Sequence, residues 1–183
     1  MISTLAFCVG LWGDELRPRL FGDTLRVGSG NLRLLAGRPL DQLKNGATVT
    51  FDFQLTALNE TRLIQARTAE RFVFSYDLWA ERFSVVQLTA REAKQARASS
   101  SNLVADAAEQ WCLERLALST TTLDRARPLR LRLEMRADEP RRAGQSEPPI
   151  SLATLIDLFS RPARREQRFW VLESSPFRLD TLK

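Results

Sequence analysis

The chain has 183 residues, of which 44% are hydrophobic and 27% charged, a composition typical of a folded single domain with a sizeable core. Histidine is absent, which excludes a Ser-His-Asp triad, a Cys-His pair and any His-based metal site. The two cysteines, Cys8 and Cys112, are too few for a Cys-rich zinc site, and they form a disulfide only if the fold brings them together. We expect Cys112 to be a small buried residue on a helix.

Basic residues outnumber acidic residues by 27 to 22, and three of the basic residues are Lys while the other 24 are Arg. An Arg-rich surface suits phosphate, carboxylate or anionic-lipid partners. Acidic residues are interleaved with the basic ones, however, so codon usage in a GC-rich genome is the favoured explanation of the excess of Arg.

The N-terminal segment is apolar from Ile2 to Gly13, about the length of a signal-peptide core. It lacks the positively charged residues that precede such a core, Asp14 and Glu15 follow it directly, and it is too short to span a bilayer. A clipped or mis-started export signal, an edge strand and an interfacial segment all remain open, and we favour the first. We therefore divide the chain into residues 1–20, a possible export-signal remnant, and residues 21–183, a single β-rich domain.

The first elements are short. Residues 24–27 and 32–35 are predicted to be extended segments on either side of a turn at Gly28 to Asn31. Pro39 to Asn45 predicts a brief helical turn, because Pro39 suits a first helical position and Gly46 suits a left-handed cap.

The central strands show the clearest alternation. Val49, Phe51, Phe53 and Leu55 fall on one face of a predicted strand, and the polar residues between them predict a solvated opposite face. A hairpin follows, in which an aromatic strand places Phe72, Phe74, Tyr76 and Leu78 on one side and a second apolar run covers residues 83–86.

The C-terminal half mixes helices and strands. Ser99 to Asn102 predicts a loop and helix N-cap, followed by an apolar helical stripe and a strand at residues 129–136. The stripe comprises Val104, Ala108, Trp111, Cys112 and Leu116. A loop is predicted at residues 137–149, a short helix at 151–159 and closing strands at 169–172 and 177–179. This order predicts a mainly β (α+β) fold, an antiparallel β-sandwich with two or three short helices.

Few residues suggest chemistry. Gly28 to Asn31 begins like a dinucleotide-binding fingerprint, but Arg33 replaces the third glycine and no helix pattern follows, so no cofactor is predicted. Asp77 and Glu81 flank Trp79 without a second acidic cluster, and no loop has the spacing of metal ligands. We therefore predict neither catalytic nor metal-binding residues and no enzymatic activity.

The candidate partner-binding residues are four arginines after the last predicted helix and one tryptophan. An Arg side chain can hold a phosphate or carboxylate through two hydrogen bonds, although acidic neighbours favour a solvated and partly self-paired surface. Trp79 points away from the predicted core face and is a candidate for partner contact. The candidates are Arg161, Arg164, Arg165, Arg168 and Trp79.

Two segments carry a resemblance to a known family. The sequences LDQLKNGATVTF at residues 40–51 and FVFSYDLW at residues 72–79, followed by ERFSV, resemble the uncharacterised bacterial proteins grouped as domain-of-unknown-function family 4390. The resemblance covers roughly residues 25–179 and implies an exported, periplasmic or cell-envelope protein with no catalytic residues to transfer. We therefore expect a non-enzymatic envelope interaction or structural domain that binds another protein. The alternative is a cytoplasmic module that binds nucleic acid or another anionic partner through an Arg-rich surface.

Overall fold

The chain folds around two antiparallel sheets, and the computed structural model describes residues 15–30, 32–88, 96–138, 156, 159 and 168–182. The smaller sheet consists of β1 (Arg17–Phe21), β2 (Thr24–Gly28) and β7 (Ala117–Ser119), in the order β1-β2-β7. The larger sheet consists of β3 (Val49–Asn59), β4 (Ile64–Asp77), β5 (Arg82–Leu88), β6 (Ala96–Leu103), β8 (Leu129–Asp138) and β9 (Phe169–Glu173). Its strand order is β6-β5-β4-β3-β8-β9.

Two helices and a 3₁₀ turn complete the described elements, namely α1 (Arg38–Lys44), α2 (Ala105–Leu113) and the turn Leu179–Thr181. Helix α1 begins with Pro39 in its first turn and is followed by Gly46 at φ 81°, as the sequence predicts. Within the described residues, the predicted mainly β fold with two antiparallel sheets and short helices is confirmed.

The hydrophobic core lies on one face of the larger sheet, which we call the inner face. Phe51 and Phe53 of β3 lie opposite Phe72 and Met135 on the neighbouring strands, and all four are fully buried. The smaller sheet, α1 and α2 contribute the facing layer of this core, through Leu25, Val27, Leu43, Cys112, Leu113 and Leu118. Cys112 is buried on α2, as predicted, and is a free thiol, and Cys8 lies outside the described residues.

The predicted hairpin is confirmed as β4 and β5. Tyr76 pairs with Phe83, and their ring centroids are 4.8 Å apart on the inner side of the hairpin. The strand ends one residue earlier than the aromatic alternation predicts, so Leu78 lies in the turn and more than half of its surface is exposed.

The segment at residues 32–35 is not a strand, contrary to the sequence prediction. Its backbone N–H groups at Leu34 and Leu35 donate to the Glu109 carboxylate of α2, so they are not available to a sheet. Strand β1 is the hairpin partner of β2. It spans the boundary predicted between the N-terminal segment, residues 1–20, and the β-rich domain that follows. Residues 1–14 lie outside the described residues, so their role as an export signal stays a prediction.

The predicted helix N-cap at Ser99 to Asn102 is wrong, because these residues belong to β6. Pairing with β5 outweighs the local turn preference of Ser and Asn. Helix α2 starts after Val104, which makes no side-chain cap and is more than half exposed. Val104 therefore does not belong to the buried stripe of the helix.

The outer face of the larger sheet is not the solvated surface that alternation in β3 predicts. Asp52, Gln54 and Thr56 are buried there. Arg71 of β4 and Arg136 of β8 both lie directly opposite Asp52. Arg136 in turn packs against Phe159, which lies outside the sheet, so this polar face is partly covered by another segment of the chain.

The structure describes only part of the C-terminal segment for which elements are predicted. Ile156 and Phe159 are helical, in agreement with the predicted helix, and β9 confirms the first closing strand. Phe177 forms an isolated bridge with Leu129, where a strand is predicted at residues 177–179. Residues 139–155 and 160–167, including most of the predicted loop, lie outside the described residues. No helix in the described part of the chain has the length and apolar character needed to cross a membrane.

Candidate functional site

The turn between β4 and β5, residues 77–82, forms a braced hairpin tip. The Asp77 carboxylate accepts hydrogen bonds from the backbone N–H groups of Trp79 at 2.8 Å and Ala80 at 3.0 Å. The Arg82 guanidinium donates to the Glu81 carbonyl oxygen at 3.1 Å, and Glu81 adopts a left-handed conformation at φ 52°. The tip therefore has its local backbone donors satisfied by its own carboxylate.

Trp79 at this tip is 99% exposed. Tryptophan is highly buried on average, so a fully exposed Trp is unusual even though scattered apolar residues are normal on protein surfaces. Leu78 beside it is also exposed, and pairing of Phe83 with Leu103 brings exposed Val104 to the same end of the sheet. The hairpin tip and Val104 thus present apolar side chains at one end of the larger sheet.

The Asp77 carboxyl keeps its charge at neutral pH. Hydrogen bonds from the N–H groups of Ala80 and Trp79 lower the pKa of Asp77 from its ordinary value. The Asp77 Oδ1 atom accepts both hydrogen bonds and so holds the turn. The tip is an anchored apolar projection with acidic neighbours.

The structure does not bring Arg168 and Trp79 together. Arg168 directly precedes β9. Its guanidinium nitrogens lie close to Gly37, about 3.2 Å from the position that a Cβ atom would take there. Phe169, the next residue, pairs with Arg136 of β8, which pairs with Asp52 of β3. Asp52 in turn pairs with Arg71 of β4. Strand β4 then continues for roughly 20 Å before the hairpin tip. Arg161, Arg164 and Arg165 lie outside the described residues.

The described arginines of the outer face are mostly engaged within the fold. Arg132 forms ion pairs with Glu134 at 2.7 Å and with Glu173 at 3.8 Å. Arg136 is buried, and its guanidinium carbon lies 4.8 Å from the Phe159 ring centroid and 5.0 Å from that of Phe169. These contacts favour the partly self-paired surface over an open anion-binding surface.

A second distinctive site lies where α2 meets the segment at residues 29–37. A cleft of about 160 Å³ opens between them, lined by Gly30, Leu32, Arg33, Asp106, Glu109 and Gln110. The Glu109 Oε1 atom accepts the N–H groups of both Leu34 and Leu35 at 2.8 Å. The Gln110 side-chain amide donates to the Ser29 carbonyl oxygen, so neighbouring residues of α2 hold the segment at Ser29 and at Leu34 and Leu35.

Burial raises the pKa of the Glu109 carboxyl from 4.5 to about 7. The N–H groups of Leu35 and Leu34 and the Arg33 charge oppose this shift, whereas the Asp106 carboxylate adds to it. Glu109 was not among the residues predicted from the sequence. Its position three residues before Cys112 places it on the buried side of the helix, and this spacing is the feature of the sequence that indicates its burial.

Neither a protein-family model nor a curated protein nor a solved structure matches this chain. The resemblance to domain-of-unknown-function family 4390 therefore stays a prediction. Within the described residues, no group of three or more Cys, Asp or Glu side chains is arranged to hold a metal ion.

Proposed function

We propose that this protein is a non-enzymatic interaction domain of the bacterial cell envelope that binds another protein through its hairpin tip. The observation that carries the proposal is the almost complete exposure of Trp79 on a turn held by Asp77. Export to the periplasm or envelope rests on the apolar N-terminal segment and on the family resemblance described above.

The tip has the properties of a binding anchor. Tryptophan is enriched among the few interface residues that dominate binding energy, and such residues act when they enter a desolvated pocket. Asp77 already fixes the backbone of the turn through two hydrogen bonds, which lowers the entropy lost on binding. Leu78 and Val104 add apolar area around the anchor.

The charges near the tip support a protein partner over nucleic acid. Asp77 and Glu81 place carboxylates beside Trp79, which disfavours an approaching phosphate backbone. On the outer face, Arg132 and Arg71 are paired with carboxylates, and Arg82 at the tip donates to the Glu81 carbonyl oxygen. An Arg-based anionic partner remains the alternative, and its binding would weaken steeply as salt concentration rises.

Site-specific photo-crosslinking tests the proposal in the cells that make the protein. A photoreactive residue replaces exposed Ala80, beside Trp79, in one variant and Leu63 in the control, which is 62% exposed in the turn at the other end of β4. We expect a discrete protein adduct from position 80 that position 63 does not give and that added salt does not abolish. Equal adducts from both positions, or none from either, would contradict the proposal.

Cell fractionation with intact-mass measurement tests export. An envelope species that lacks its N-terminal residues would support the proposed location. A full-length species confined to the cytosol would contradict it and would make nucleic acid the first partner to test.

A further inference from the structure

We infer that Glu109 is a proton-sensitive latch, which holds residues 32–37 against α2 more tightly when its carboxyl is protonated than when it is ionised. This inference concerns the cleft between α2 and residues 29–37, and it does not depend on the partner proposed for the hairpin tip.

The geometry allows protonation without loss of the existing hydrogen bonds. The N–H groups of Leu34 and Leu35 both donate to Oε1 of Glu109, and no described residue hydrogen-bonds to Oε2. Because Glu109 lines the cleft, Oε2 can carry the proton there while Oε1 continues to accept both bonds. The protonated latch therefore stays closed and places no net charge in the buried site.

The groups around Glu109 do not neutralise its ionised form. Asp106, one turn earlier on the same helix, is a like charge, and Arg33 on the opposing segment is exposed to solvent. Among the described residues, the Cys112 thiol also lies near Glu109, and its pKa is raised by burial and by Glu109, so the thiol stays neutral. Ionisation therefore places a carboxylate in a site that supplies two backbone dipoles and one solvent-exposed cation, Arg33, whose effect is smaller than that of burial.

The direction of the pH effect follows from linkage. In the closed state the pKa of Glu109 is raised to about 7, whereas an opened, hydrated carboxyl returns toward 4.5. A proton therefore binds the closed state more tightly, so the latch is most stable below about pH 4.5 and loses stability as pH rises to about 7. Above that pH the effect levels off.

The change is expected in local opening and not in a large displacement. Leu32, Leu34 and Leu35 are buried in the core and hold the segment independently of Glu109. Each unit by which the pKa differs between closed and open states changes the opening equilibrium about tenfold. The shift from 4.5 to about 7 thus corresponds to an opening equilibrium that rises by about two orders of magnitude across the range.

Amide hydrogen exchange at Leu34 and Leu35 measures this opening directly. We expect their protection factors, corrected for the intrinsic pH dependence of exchange, to fall by about 100-fold between pH 4.5 and 7.5. In Glu109→Gln, which keeps an Oε1 acceptor but cannot ionise, the protection should be independent of pH. The matched control, Glu114→Gln, changes an exposed residue next to α2 and should retain the wild-type dependence.

Two results would overturn the latch. One is a wild-type protection that is flat across this pH range, and the other is a slope that persists in Glu109→Gln. If Glu109→Gln does not fold, carbon NMR titration of the Glu109 carboxyl in the wild-type protein decides the question. A midpoint near 7 supports the latch, and a midpoint below 5 rules it out.

Discussion

Two regions of the molecule each bury a carboxylate, and they compensate its charge differently. On the outer face of the larger sheet, Asp52 is 0% exposed and both of its oxygens accept hydrogen bonds from the Arg71 guanidinium. In the layer against the inner face, Glu109 is 3% exposed and accepts two backbone N–H groups through one oxygen. Asp52 is thus matched by a full positive charge, whereas Glu109 is matched by dipoles.

The difference indicates what each carboxylate can do. A charge-assisted bidentate pair is strong and geometrically specific, so the Asp52–Arg71 pair fixes the relative position of β3 and β4. Backbone dipoles orient the Glu109 carboxyl but do not outweigh its burial, so its pKa lies near neutrality. The first region is suited to holding a structure, and the second to responding to protons.

Removal of Arg71, one of the two arginines opposite Asp52, is the largest expected effect. Arg71→Met removes the two guanidinium hydrogen bonds of the buried Asp52 carboxylate and leaves Arg136 as its neighbouring cation, and we expect the free energy of unfolding to fall by up to about 3–5 kcal/mol. Urea denaturation at pH 7 measures this change. Arg127→Met, which breaks an exposed ion pair with Asp124, is the control and should cost less than about 1 kcal/mol.

A double replacement separates the charge from the packing. In Asp52→Leu with Arg71→Met, no charge of the pair remains buried, so most of the stability lost in Arg71→Met should return. Equal instability of the single and double variants would show that the arginine acts through shape and not by neutralising Asp52.

Replacement of the second carboxylate has a smaller expected effect. Glu109→Ala leaves the buried N–H groups of Leu34 and Leu35 without their acceptor, and we expect a loss of about 1–3 kcal/mol. Glu109→Gln keeps the acceptor oxygen and should lose less than Glu109→Ala. Thermal unfolding of both variants at pH 7 tests the order, and equal losses would mean that the hydrogen bonds do not carry the effect.

The sequence predicted those strands in which side-chain alternation and burial coincide. Residues 49–56, 72–76 and 129–135 show a period of two, and they form the centre of the larger sheet. The strand at residues 96–103 has small polar residues without alternation, so its pairing with β5 depends on the fold around it. The strand at residues 17–21 contains Pro18, which suits its position at a sheet edge but gives no periodic signal.

The two carboxylates show why the site was harder to predict than the fold. Asp52 alternates with apolar residues and reads as solvated, and its burial depends on arginines that lie 19 and 84 positions away in the chain. Glu109 lies on the buried side of α2, but its acceptor role depends on a segment 75 residues earlier. The exposure of Trp79 could be predicted because it falls on the face opposite Phe72, Phe74 and Tyr76 in the alternating pattern, which is a local feature.

The smallest expected effect is a shift in the Glu109 titration when its charged neighbours change. Asp106→Asn removes a like charge and should lower the pKa of Glu109, whereas Arg33→Gln removes an opposite charge and should raise it. Both groups are solvent-exposed, so each change in unfolding free energy should stay below about 1 kcal/mol. Carbon NMR titration resolves shifts of this size. If both replacements move the midpoint in the same direction, a rearrangement of the cleft and not local electrostatics controls the proton, because charge removal alone requires opposite signs.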